Sequence, residues 1–290
     1  MATRKALRPG ATEPDVVFSP VVRGQECLAG AGFRAKRFCQ AAFGGLMDPI
    51  LAVEHFVETE SAFRETALKE LAMLTLMFED SAGHAIYTAP GGESVRVSPG
   101  DMHWLTAGRG FVHRENLSEE GGRIHGLRIF VGLPDSRRTE SPYSIHLPAT
   151  GMSRIHRPAI RSRHAKTPDG PGDGRLAHQI FASDIFLNPR TRQQFMTPAG
   201  LTSFLLVVDG AVQVYALGRI DRAVAVAAGE AVAFRGRPGE PFRWRIRSPD
   251  PAHVVVLYGG PLSGEAGSQT EILPDVPALR PCAARTSEKG

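Results

Sequence analysis

Two stretches of this 290-residue chain repeat the same order of signals. In the first, the apolar run Met73 to Phe78 leads to Val95-Arg96-Val97-Ser98-Pro99-Gly100-Asp101. In the second, Ser203 to Val208 leads at nearly the same spacing to Val224-Ala225-Val226-Ala227-Ala228-Gly229-Glu230. The endings also correspond, HGLRIFVGLP at 125–134 with HVVVLYGGP at 253–261. Recurrence of one pattern marks a duplicated supersecondary unit. The runs are short, alternating or wholly apolar, and broken by Gly and Pro roughly every 8–12 residues, as in sandwiches and barrels. An all-β chain of two similar β-barrels is the expectation.

Composition narrows the classes. Hydrophobic residues make up 42% and charged residues 22%, ordinary for a globular chain with a sizeable core. The formal net charge of +4 gives the whole molecule no strong pull on nucleic acid. Cys27, Cys39 and Cys282 form no CxxC pair and no disulfide framework, which fits a reducing compartment. Residues 1–15 carry Arg4, Lys5 and Arg8 without an apolar segment, and no apolar run approaches 18 residues. A cytoplasmic protein without membrane attachment is expected.

The chemistry concentrates in Val97 to Glu115, VSPGDMHWLTAGRGFVHRE. Two short strands are read here between Pro-Gly and Gly-Arg-Gly corners. Period-2 alternation places His113 and Glu115 on one face of the second strand. An imidazole and a carboxylate so placed can reach one metal ion, and the mixed N/O pair suits iron, manganese, nickel, copper or zinc. A bare His-x-Glu is common by chance, so the pair alone is also compatible with a structural role.

The wording around the pair, PGDxxWxTAGRGxxHxE, resembles the pirin family of the cupin superfamily. GAGFRAKRF (30–38), DPILAVEHF (48–56), FEDS (78–81) and HGLRIFVGLP (125–134) resemble pirin segments in the same order. The likeness is strong over 23–134 and looser over 180–262. It implies a bicupin, two tandem jelly-roll-like barrels: an N-terminal tail 1–15, a first barrel 16–134, a basic linker 135–177, a second barrel 178–273 and a tail 274–290. It also implies one transition metal, iron or alternatively nickel, copper, manganese or zinc, in the first barrel only, with His113 and Glu115 as two of four ligands. Asp209-Gly210 in FLLVVDGAVQVYAL reads as a two-residue hairpin turn in the second barrel. There the counterpart of the His113 stretch is taken as Phe234 to Phe242, without ligands.

The chain departs from the family where the other ligands should stand. Glu58 to Leu71, ETESAFRETALKEL, has helix-forming composition, whereas the resemblance implies strand and loop carrying two histidines. Counting back from Phe78 puts those positions on Thr66 and Leu68, neither able to replace an imidazole. His125 shares parity with Leu127, Ile129, Val131 and Leu133, an apolar and therefore inward face, and is the further ligand candidate. His103 is expected at a barrel mouth, His55 and His84 on the surface or in loops. Arg34, Lys36 and Arg37 read as a solvated basic face. Between Ser141 and Pro168 there is no acidic residue while Arg154, Arg157, Arg161, Arg163 and Lys166 cluster, a basic irregular connection.

Three functions follow. The first is a small-ligand-binding or regulatory protein with a weakened or absent metal centre. The second, implied by the resemblance, is a metal-dependent quercetin 2,3-dioxygenase-type oxidoreductase in which Glu115 accepts the proton of a flavonoid-like substrate. The third is a transcriptional co-regulator acting through a protein partner. Whether the chain is an enzyme stays open at this point.

Overall fold

The structure, a computed structural model, describes residues 16–262 apart from 29–31, 60–63, 118–121, 167–179 and 218–221. The expected tails 1–15 and 274–290 and Cys282 lie outside the described residues. Strands form four antiparallel sheets. A seven-stranded sheet runs in the order β13 (Tyr143–Leu147), β10 (Met102–Thr106), β7 (Leu71–Met77), β12 (Ile124–Gly132), β5 (Ile50–Glu58), β4 (Phe33–Cys39), β3 (Gln25–Leu28). It closes a barrel with a four-stranded sheet, β6 (Arg64–Leu68), β11 (Phe111–Leu117), β8 (Ala85–Thr88), β9 (Ser94–Val97).

The second barrel repeats this arrangement. Its large sheet runs β1 (Val16–Phe18), β21 (Glu230–Gly236), β18 (Thr202–Asp209), β23 (Ala252–Gly259), β16 (Ile180–Leu187), β15 (Ile160–Lys166), β14 (Ser153–Arg157), with β2 (Val22–Arg23) also on β21. Its small sheet is β17 (Thr191–Thr197), β22 (Phe242–Ser248), β19 (Ala211–Leu217), β20 (Arg222–Ala227). Strand for strand, β7 matches β18, β12 matches β23 and β11 matches β22, so the duplication seen in the sequence is a duplication of the fold, and the counterpart of the His113 stretch is Phe242–Ser248 rather than Phe234 to Phe242.

The two large sheets pack face to face. One apolar cluster runs through the seam, with Phe38, Phe43, Leu74, Trp104, Leu127 and Ile129 of the first barrel against Ala182, Phe204, Leu206, Val255 and Leu257 of the second. Phe204 meets Phe43 edge-on, ring centroids 5.5 Å apart. The large sheets are therefore covered on both faces, and every residue of β12 is buried. The second barrel has an apolar interior built from Ile185, Leu205, Val254, Val256, Trp244 and Ile246 among others.

Several expectations are corrected. β1 does not belong to the first barrel: it pairs with β21 of the second, while β13 takes the equivalent edge of the first. The basic stretch is not irregular: 143–166 contains β13, β14 and β15, and β15 pairs with β16. Its charges suit a sheet edge, since every residue of β14 is exposed and charged edges resist further strand pairing. The run Glu58 to Leu71, helix-forming in composition, instead holds β6 and leads into β7, as the resemblance implied, because tertiary pairing with β11 and β10 overrides helix propensity. Asp209-Gly210 is no hairpin turn. β18 and β19 lie in different sheets, and Gly210, at φ 77°, turns the corner between them. A side chain there would meet the Pro251 carbonyl at 2.5 Å.

Polar ties pin the seam. Arg163 donates to the Gly100 carbonyl of the first barrel at 2.8 Å and pairs with Asp184 through Nε at 3.1 Å. His253 Nε2 lies 2.5 Å from the other oxygen of Asp184. Burial pushes the Asp184 carboxyl up, but His253 and Arg163 outweigh it and hold the group below its ordinary value. A carboxylate so lowered contributes stability above its unfolded pKa, about 3.9, and loses it as pH falls through the lower folded value. Asp184→Asn should thus cost about 3 kcal/mol at pH 7 in urea unfolding. That difference from wild type should shrink below pH of about 4; an equal difference at pH 3 and pH 7 would contradict the assignment.

Candidate functional site in the first barrel

β11 alternates cleanly. His113, Glu115 and Leu117 are buried, while Val112 and Arg114 face out. Antiparallel pairing sets Thr66 of β6 opposite His113 and Arg64 opposite Glu115. Neighbouring strands add His103 from β10, Arg128 from β12, Glu54 and Glu58 from β5 and Arg37 from β4. These share the interior with two apolar clusters, one around Leu51, Leu68, Leu105 and Phe130, the other around Phe33, Phe56, Tyr87 and Val97.

Arg128 dominates the electrostatics. Its Nη2 donates to Glu115 Oε1 at 2.6 Å, with 10% and 9% of the two side chains exposed, and lies 3.8 Å from Glu58 Oε2. Its guanidinium also sits 4.4 Å from the centroid of Phe56. Arg64 Nε is 2.9 Å from Glu58 Oε1 and its guanidinium covers Phe33 at 4.0 Å. Arg37 donates to Glu54 at 2.9 Å through Nε and 2.5 Å through Nη2. Guanidiniums thus answer the carboxylates one for one. Burial pushes the Glu115 carboxyl up, yet Arg128 first and His113 next hold it at about 2. Glu54 and Glu58 are raised by burial, only partly offset by their arginines. Arg128 is pushed upward, since Glu115 and its other anionic neighbours overcome the burial penalty, and it stays charged.

Two histidines complete the set. The rings of His103 and His113 lie nearly parallel, centroids 6.5 Å apart, with Tyr87 edge-on at 5.1 and 4.9 Å. All four of their ring nitrogens are buried without a hydrogen-bond partner. Such groups are rare in folded proteins and call for an explanation. His113 Nε2 approaches Glu115 Oε2 only to 3.7 Å. Burial lowers His103 to about 3, so its imidazole is neutral. His103 is 1% exposed, inside the barrel and not at its mouth.

His125 does not join them, contrary to expectation. It stands on the face of β12 opposite Arg128, with Nδ1 2.8 Å from Asp80 Oδ2 and Nε2 2.7 Å from His55 Nε2. The apolar parity that suggested an inward face is real, but it faces the seam between barrels. His55 is likewise on strand β5 rather than in a loop, while His84 does lie between strands. Arg37, read as solvated, is 7% exposed and paired.

The donor set does not fit a metal centre of three or four protein ligands. The inward positions of β6 are Arg64, Thr66 and Leu68, so a pair spaced by two contains no histidine in either register. Leu68 is packed into an apolar cluster, and Glu115 is taken by a fixed cation. Among the described residues no group of three or more His, Cys, Asp or Glu side chains is arranged to hold an ion.

Residues 36–131 match the Pirin family profile. Over that segment the chain is similar to the pirin family. It is 25% identical to rat pirin over 260 residues, 83% of this chain and 81% of that one. Crystal structures show the same two-barrel fold. Quercetin 2,3-dioxygenase from Acinetobacter baumannii superposes with a TM-score of 0.70 at 20% identity, covering 86% of this chain and 88% of that one. The Escherichia coli pirin YhhW in complex with nickel(II) gives 0.61 at 15% identity, covering 85% and 99%. The charged interior is what sequence reasoning missed. The available signal was Arg128 alone within the apolar run of β12, on the parity opposite His125.

Removing Arg128 strands a buried carboxylate. Arg128→Leu should lower unfolding free energy by about 3–5 kcal/mol, and adding Glu115→Leu should restore part of the loss. Denaturant titration measures both; a single variant within about 0.5 kcal/mol of wild type would contradict the pairing.

Proposed function

We propose that this chain is a small-ligand-binding or regulatory pirin in which the guanidinium of Arg128, rather than a metal cation, neutralises Glu115. The observation that carries this reading is the buried 2.6 Å Arg128–Glu115 contact. A divalent ion beside Glu115 would have to displace Arg128 or share the pocket with its positive charge, and at 4 Å two unit charges repel by about 4 kcal/mol even at an effective dielectric of 20. Thr66 and Leu68 offer no compensation. In the regulatory form the partner is another protein, and the thiol of Cys39 fits a reducing cytoplasm.

The unpartnered nitrogens of His103 and His113 favour a second reading, a quercetin 2,3-dioxygenase-type oxidoreductase that uses these two imidazoles, with water completing the metal's shell. Solved relatives with that activity in their names have this fold. The two readings separate in one experiment. Elemental analysis of protein purified without chelators should find iron, nickel, copper, manganese and zinc all far below one equivalent, in wild type and His113→Ala alike. Near-stoichiometric metal that disappears in His113→Ala would overturn the first reading in favour of the second.

A further inference from the structure

On the large sheet of the second barrel the apolar inner face turns polar toward one end. Along β16 the inward positions run Leu187, Ile185, Ser183; along β15 they run Ile160, Ser162, His164; along β23 they run Val254, Val256, Tyr258. Each strand thus exchanges aliphatic for polar side chains in the same direction. A cavity of about 570 Å³ opens there, within the range of small-molecule sites, and Ser153, His164, Phe181, Ser183, Met196 and Tyr258 line it.

The polar groups are held in place. His164 is fixed between two serines, Nε2 2.8 Å from Ser162 Oγ and Nδ1 2.8 Å from Ser183 Oγ. One ring nitrogen accepts and the other donates, whichever tautomer is present. If Ser183 donates to the ring it keeps its lone pairs for a ligand, and if it accepts it keeps its O–H. A ligand hydroxyl, able both to give and to accept, satisfies either case. Burial lowers the proton affinity of His164 and raises that of the Tyr258 phenolate, so both present neutral groups. Among the described residues no Asp, Glu, Lys or Arg lines the cavity. The remaining wall is apolar: Phe181, the Tyr258 ring, Leu201, Leu147 of β13 in the first barrel, and Met196, which is 59% exposed at the rim. Sulfur against an aromatic face is a favourable contact that an exposed methionine leaves unused.

We infer that the open end of the second barrel binds a small, uncharged, ring-containing molecule bearing a hydroxyl group. This goes beyond the reading of the first barrel and does not rest on it. The test uses the full-length chain and two probes of matched shape, 2-naphthol and 2-naphthoate, followed by calorimetric titration at pH 7. Saturable one-to-one binding of 2-naphthol is expected, with 2-naphthoate at least about tenfold weaker because a buried carboxylate finds no cation. Ser153→Trp, at an exposed position of β14 on the cavity wall, should weaken 2-naphthol at least about tenfold by filling the mouth. Ser183→Ala should weaken it about fivefold through the lost hydrogen bond. Circular dichroism melts confirm that each variant folds. Absence of saturable 2-naphthol binding, equal affinity for 2-naphthoate, or binding unchanged in Ser153→Trp would each overturn the assignment.

Discussion

The structure depends on the burial of both faces of its two large sheets. One barrel cannot cover the outer face of its seven-stranded sheet, and the seam supplies the cover with Phe204, Leu206, Val255 and Leu257 from the other barrel. Burial of this kind is the dominant favourable term in folding, at about 25 cal/mol per Å² of apolar surface. It fixes where polar groups can lie. On the seam face His125, His55, Asp184 and His253 must be hydrogen-bonded to one another or to arginine, and they are. On the inner face of the first barrel a separate set of charges neutralises itself.

That inner set bears on the chemistry this chain can support. A carboxylate in a low-dielectric interior needs a cation, and the barrel can supply one from outside as a metal or from its own chain as a guanidinium. The reading proposed above is the second solution. Arg128 reaches Glu115 with a charge-assisted hydrogen bond and stacks on Phe56. The arrangement is geometrically demanding, since replacing one member exposes the other's desolvation cost. His103 and His113 are left facing the same interior with their nitrogens unpartnered.

Much of the fold was legible in the sequence. The duplicated strand pattern, the turn residues and the wording around Trp104 and Gly108 led to two barrels, and alternation correctly put His113 and Glu115 on one face. What was not legible has a common cause. Period-2 alternation says which residues share a face but not which face is the barrel interior when both are buried, so His125 and Arg128 were effectively exchanged. Asp209-Gly210 failed for a related reason: a tight turn looks the same whether its strands pair or diverge into two sheets. The basic stretch read as a connection because edge strands carry surface composition. The polar end of the second barrel, Ser162, His164 and Ser183, could be recognised only once pairing of β15 with β16 had brought these residues together.

The central claim is that Arg128 stands where the family's metal charge would be. The most direct measurement is calorimetric titration with nickel(II) of wild type and of a variant combining Arg128→Gln with Thr66→His, which removes the fixed cation and adds an imidazole opposite His113. The account expects no stoichiometric uptake by wild type and tight one-to-one binding by the variant, at least about a hundredfold stronger, in line with the cost of removing a like charge. Wild type binding one equivalent of nickel as tightly as the variant would contradict it.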